Sequence, residues 1–289
     1  MPPAWLVTHP ALTSRNIVLD REGWLKPGTV FQTDISQDTP RYAVKIVEPD
    51  STEPDIYGKL LQSDVASSGH VLPCDIVRTD GGGAIIIMPR LKDLGVYPRW
   101  DWDGSTLLRY FRQILEGIEG MHRVNIAHMD IAKFNILCTW NKDHIHHPHL
   151  QPDTIYFIDF GSSRQFDAGP GRQPAVELGP AQYKPPLEMQ AFDPFSWDIM
   201  CAGMLLRDLA KAIDFPGILQ PLLFRRYVDW LIGRERGCLT VCRCRPSARR
   251  AIRVLAILQW AFRVECLCRR ALTFLLPRIT FGSKSVRSD

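Results

Sequence analysis

Apolar positions along this chain follow two rhythms, and the change between them falls near residue 94. Before it, apolar residues come in runs of strand length at 16–19, 29–33, 41–47, 76–78 and 84–88, with Val71-Leu72 as a shorter one, parted by polar, proline or glycine turns. One helix interrupts them. Ser51 or Thr52 caps a segment over 54–61, and Pro54 is tolerated in its first turn. After residue 94 the period lengthens to that of a helix. Leu107, Leu108, Phe111, Ile114, Leu115, Ile118 and Met121 share one face of a helix with Ser105 as its expected cap. A second, buried helix starts at Trp197-Asp198, and an apolar, arginine-rich helix runs from Gln259 towards Pro277.

Composition narrows this only a little. With 289 residues and 45% hydrophobic content, one large domain or two packed lobes have ample core. No run reaches the length of a membrane span. The first residues lack the basic and apolar regions of a signal peptide, so an intracellular address is expected, cytoplasmic or nuclear. Cys74, Cys138 and Cys201 sit in apolar settings and read as reduced core thiols. The net charge of +4 is unevenly spread. From Ile232 onward thirteen Lys and Arg face three acids, a net +10, whereas the first 231 residues hold 22 basic against 28 acidic groups, a net −6. The late arginines alternate with apolar residues, which favours a solvated helix face over a nucleic-acid surface.

The chemistry concentrates in His128-Met129-Asp130-Ile131-Ala132-Lys133-Phe134-Asn135 and, about two dozen residues on, Asp159-Phe160-Gly161 after an apolar strand. Phosphoryl transfer needs one carboxylate to meet the incoming hydroxyl, and an amide and a second carboxylate to hold the Mg²⁺ ions that neutralise the transferring group. Three other histidine, glycine and cysteine clusters carry less. The run from His144 to His149 reads as a polar loop, and Gly81-Gly82-Gly83 reads as a turn because a strand and not a helix follows it. Cys238, Cys242, Cys244, Cys266 and Cys268 do not have a standard zinc spacing and read as thiols.

The Asp130, Asn135 and Asp159 set resembles the protein-kinase catalytic loop and Asp-Phe-Gly motif, with Met129 in place of the usual Arg. Gly23, Gly28 and Val30 match the kinase glycine loop, with Leu25 at its middle glycine; on residues alone the same stretch is an ordinary hairpin turn. Tyr42-Ala43-Val44-Lys45 resembles the phosphate-lysine strand, which implies that Lys45 contacts phosphates and that Ala43 borders the nucleotide. Its implied partner is Glu53, which a helix N-terminus would favour anyway, with Asp55 in reserve. Met88 to Leu91 looks like the gatekeeper and hinge. Pro185-Pro186-Leu187-Glu188 looks like the end of the activation segment, with Arg245 as the late arginine that pairs with Glu188.

The resemblance implies an α+β, two-lobed protein-kinase-like fold, with a small β-rich N-lobe and a larger helical C-lobe. The expected division is an extension at 1–19, N-lobe and hinge at 20–91, C-lobe at 92–260 and a basic tail at 261–289. It implies ATP and Mg²⁺ as cofactors, Asp130 as the catalytic base, Asn135 and Asp159 as metal ligands, and a brace on the loop from Asp198. Ala132 and Pro180 stand where Ser/Thr kinases carry Lys and Thr, so the nucleotide half is better preserved than the acceptor half. Three readings stay open: a protein kinase acting on Ser/Thr of an unknown protein substrate, a pseudokinase that binds nucleotide, and a small-molecule phosphotransferase.

Overall fold

The computed structural model describes residues 1–33, 40–63, 69–94, 102–139, 143–185, 189–213, 215, 219–233 and 240–275. Strands β1 (Leu19–Lys26), β2 (Val30–Thr33), β3 (Tyr42–Val47), β4 (Asp75–Arg78) and β5 (Ala84–Pro89) form an antiparallel sheet in the order β1-β2-β3-β5-β4. Between β3 and β4 lies helix α3 (Glu53–Gln62). Thr52, at its N-cap, makes no side-chain cap bond; Ser51 Oγ accepts from the Glu53 amide instead, at 3.2 Å.

Side-chain alternation assigns the two faces of this sheet to different cores. On β3 and β5, Ala43, Val47, Ala84, Ile86 and Met88 point into the core shared with the larger lobe. Val44, Ile85 and Ile87 point the other way and meet Phe31, Leu19, Ile17, Leu12 and Leu6. That second core explains the uninterrupted apolar run of β5, since a strand buried on both faces has no polar side to alternate with. The residues expected to be an extension supply its cover. Helices α1 (Ala4–Val7) and α2 (Pro10–Thr13) bury Leu6 and Leu12 completely, and β1 starts only at Leu19 instead of filling 16–19.

The expected hairpin strand at Val71-Leu72 is also placed differently. Val71 bridges Phe157, and the Leu72 amide donates to Phe157 O, so this segment ties the small lobe to the large one. The triple glycine forms the β4–β5 turn, with Gly82 at φ +82°.

The large lobe is built on α4 (Gly104–Arg123), α6 (Pro194–Ala210), α7 (Leu219–Ile232) and α8 (Ala248–Leu275); α5 (Asp143–His146) is a short surface turn. The α4 apolar face is fully buried as expected, but its cap is Asp103, whose carboxylate accepts from the Thr106 amide at 2.7 Å. Ser105 lies inside the first turn. Helix α8 runs unbroken across the expected boundary at 260, because no glycine or proline interrupts residues 248–275. Residues 276–289 of the expected tail lie outside the described residues, and among those described no helix is long and apolar enough to cross a membrane. Short strands β6 (Lys92–Asp93), β8 (Ile136–Cys138) and β9 (Ile155–Phe157) form the sheet under the cleft. Strand β7 (Ile126–Ala127) enters the motif loop and pairs with β10 (Arg164–Gln165) leaving it, while β11 (Val176–Glu177) pairs with β12 (Ala191–Phe192).

Candidate active site

The functional side chains come from strand β3, helix α3, the motif loop after β7 and the segment after β9. Lys45 projects from β3 between the lobes, and its ammonium lies 2.7 Å from Glu53 Oε1 and 2.6 Å from Asp159 Oδ1. All three groups are largely buried, Lys45 and Glu53 most of all. Burial lowers Lys45, yet the two carboxylates more than offset it and hold it above its ordinary value. Burial raises Glu53 above the usual carboxylate range despite Lys45. Asp159 goes the other way: burial raises it, but the Lys45 contact dominates and leaves it below its ordinary value. The partner of Lys45 is therefore Glu53; Asp55 instead pairs with Arg78 at the exposed surface.

Asp159 has φ +61°, a conformation costly for a residue with a Cβ. Two features around it hold it there. Phe160 is fully buried, its ring 4.7 Å from Tyr57 on α3 and 5.1 Å from His128. The Ile158 backbone is tied on both sides, its amide donating to Asn135 O at 3.1 Å and its carbonyl accepting from His128 Nε2 at 3.1 Å.

Asp198 fixes the motif loop from below. The α6 cap is Asp193, whose Oδ1 accepts from the Phe195 and Ser196 amides. Asp198, wholly buried in the interior of α6, accepts from the His128 amide at 2.9 Å, the Met129 amide at 2.8 Å and His122 Nε2 at 2.9 Å. Trp197 Nε1 donates to Met129 O at 2.9 Å. These bonds clamp Met129 at φ +64°, a second strained residue at the site. The loop then presents Asp130, whose Oδ2 accepts from Asn135 Nδ2 at 2.9 Å. One further partner has no precursor in the sequence reading: Gln182 donates its backbone amide to Asp130 Oδ1 at 2.7 Å and its side-chain amide to Oδ2 at 3.4 Å. A backbone donor leaves no trace in residue type, so nothing in the sequence marked it.

Between these groups runs an open cleft of about 1060 Å³. Of the residues expected at a nucleotide, Val30, Ala43, Lys45, Met88, Leu91, Asn135 and Asp159 line it, as does Asp130. Gly23, Gly28 and Glu53 do not, and Glu53 acts on the cleft only through Lys45. Gly28 is the positive-φ residue of the β1–β2 turn, and Gly23 lies so close to Asp20 that a Cβ there would meet its carboxylate at 2.3 Å. Leu25, Lys26, Leu137 and Ile158 take part in the lining instead. At the hinge, Pro89 has no N–H and the Arg90 amide donates to Arg41 O at 2.9 Å. Glu188 lies outside the described residues, and so does any contact it makes with Arg245.

The donor set suits the expected cofactors. A carboxylate and a side-chain amide oxygen are hard oxygen ligands of the kind Mg²⁺ takes beside phosphate, and the cleft pairs an apolar wall with a buried cation at its inner end.

Comparison with known proteins gives the same direction. A family profile described as the protein kinase domain matches residues 96–212, which include the motif loop, Asp159 and Asp198 but not Lys45. Myosin light chain kinase family member 4 of Mus musculus is 31% identical over 112 residues, 38% of this chain. This chain spans only 26% of that relative's length. Among solved structures, the Cydia pomonella granulovirus kinase PK-1 superposes with a TM-score of 0.56 over 86% of this chain and 97% of its own. At 16% identity that likeness is one of fold, and it extends over most of the chain where the profile stops at residue 96.

Proposed function

We propose, from the premise that this chain carries a protein-kinase-like domain, that it transfers the γ-phosphoryl group of Mg·ATP to a protein hydroxyl, that of serine or threonine. The observation that carries this reading is the meeting of Lys45, Glu53 and Asp159 across the cleft from Asp130 and Asn135. ATP with Mg²⁺ would supply the phosphoryl group and the charge that holds it. Lys45, kept cationic by two carboxylates, faces the phosphates. Asn135 and Asp159 would hold the metal. Leu25, Val30, Ala43 and Leu137 form the apolar wall for a base.

On the acceptor side Asp130 orients the hydroxyl and takes its proton. A carboxylate offers about four acceptor positions. Asn135 and the two Gln182 amides account for three. The remaining one, on Oδ1, suits a single incoming hydroxyl. Gln182 thus does for Asp130 what Ala132 and Pro180 lack the groups to do.

Ala132 and Pro180 themselves favour a second reading, a pseudokinase that binds nucleotide without transferring phosphate. Single-turnover transfer from labelled ATP to serine, threonine and tyrosine peptide pools, run beside amino alcohols and sugars, separates the readings. Label on serine or threonine peptides supports the proposal. Label on the small molecules alone makes the protein a small-molecule phosphotransferase, and nucleotide binding with no label anywhere makes it a pseudokinase.

A further inference from the structure

After α7, outside the lining of the cleft, two cysteines of the sequence Cys242-Arg243-Cys244-Arg245 bring their sulfurs together. Cys242 Sγ and Cys244 Sγ lie 3.2 Å apart, closer than two unbonded sulfurs usually rest. Cys242 is buried and Cys244 is exposed. Over both lies the guanidinium of Arg245, with Nη1 at 3.5 Å from the first sulfur and 3.7 Å from the second. Arg245 is itself buried, and other contacts keep it in place. Its Nε donates to Ile232 O at 2.6 Å, its Nη2 lies 3.6 Å from Met200 Sδ, and its plane covers the Phe192 ring at 4.6 Å.

A buried cation whose close neighbours are two thiols stabilises the thiolate, the form that reacts with oxidants. At two other cysteines burial decides, at Cys201 even though the Arg245 guanidinium pulls the other way. Burial pushes the Cys74 thiol up to about 12 and raises Cys201 as well, so neither ionises near neutral pH.

We propose that Cys242 and Cys244 are an oxidisable pair that closes to a disulfide when a peroxide reaches the exposed Cys244. The Cys244 thiolate attacks one peroxide oxygen, the O–O bond breaks, and sulfenic acid forms as the other oxygen leaves as hydroxide and is protonated to water. The Cys242 sulfur then attacks Cys244 Sγ. The S–O bond breaks, the S–S bond forms, and the departing hydroxide takes the Cys242 proton as a second water. Both sulfurs are oxidised and hydrogen peroxide is reduced, with no further reagent. The pair also adjoins the α6 cap, because the Cys242 amide donates to Asp193 Oδ2 at 3.2 Å.

Trypsin provides the test because it cuts after Arg243, between the two cysteines. The folded full-length protein is treated with hydrogen peroxide, blocked with an alkylating agent after unfolding, digested and weighed. The expected result is that the peptides Gly237–Arg243 and Cys244–Arg249 stay joined and lighter by two hydrogens, with Cys238 alkylated and fragment ions placing the link on Cys242, and separate on reduction, while Cys74 and Cys201 are alkylated. In Cys242→Ser, Cys244 should stop at a sulfenic acid that dimedone traps. Because Cys242 is buried, Cys244→Ser serves as the surface-exposed companion, and its Cys242 should stay alkylatable after peroxide. Full alkylation of both cysteines in the treated parent protein would overturn the proposal. So would a disulfide from Cys244 to any other cysteine.

Discussion

The two walls of the cleft hold their charges in opposite ways. On the proposed nucleotide side, one cation is locked between two carboxylates, the three groups drawn from β3, α3 and the loop after β9, and every contact is side chain to side chain. On the acceptor side, Asp130 is held by an asparagine and by Gln182, whose firmest bond is a backbone amide. The first arrangement fixes residue identity, because a buried charge without its partner is expensive. The second tolerates change in sequence, because any residue but proline brings an amide. This accounts for a nucleotide wall that keeps its charged residues while the acceptor wall carries Ala132 and Pro180.

The sharpest test of the contrast is Asp130→Asn. It should lower phosphate transfer by roughly a hundredfold to ten-thousandfold, the usual share of a general base, and leave Mg·ATP affinity unchanged in a filter-binding assay. Equal losses in both would mean that the walls do not divide the work.

Lys45→Ala strands two buried carboxylates, so chemical denaturation should show a loss of about 3 kcal/mol together with loss of nucleotide binding. The pH response has a definite sign. Glu53 is already raised above its ordinary 4.5 in the parent and rises further without its cation. The folded state then holds a proton that the unfolded state releases, and the variant should regain stability as pH falls through the folded value. Adding Glu53→Gln should recover part of the loss at neutral pH, and strict additivity of the two changes would argue against a coupled pair.

Gln182→Ala retains the backbone bond to Asp130, so turnover should drop only about fivefold, the worth of one modest hydrogen bond, with KM for ATP unchanged. Gln182→Pro removes the backbone donor too and should cost more; equal effects from both would show that the amide is idle. Smallest of all is Leu25→Gly. The side chain lines the cleft but is nearly half exposed, and losing that apolar surface should weaken nucleotide binding about threefold. A gain in affinity would show instead that residues 23–28 act as a phosphate loop limited by Leu25.

What was legible in the sequence follows the same division. Lys45 stands out because a charged group amid apolar strand residues has to be explained, and Asp130, Asn135 and Asp159 stand out through the spacing of their motifs, whereas Glu53 was reached only through the resemblance. Gln182 was silent, since a backbone amide belongs to every residue but proline. Asp103 was passed over as a cap in favour of Ser105, because several good cap residues stood within a few positions and only backbone conformation chooses among them, and Asp193, the cap of α6, was not singled out at all. Helices of four residues such as α1 and α2 span little more than one turn and leave no periodicity to read.

Those two short helices have a practical consequence. A protein begun at residue 20, where the resemblance starts, would lack Leu6, Leu12, Ile17 and Leu19 and would leave Val44, Ile85, Ile87 and Phe31 facing water. That is a broad, flat apolar patch on a β-sheet, the kind of surface on which chains stick to one another. Recombinant production of the small lobe therefore depends on keeping residues upstream of its first strand, and insolubility of a shortened protein would report on this missing cover and not on the cleft.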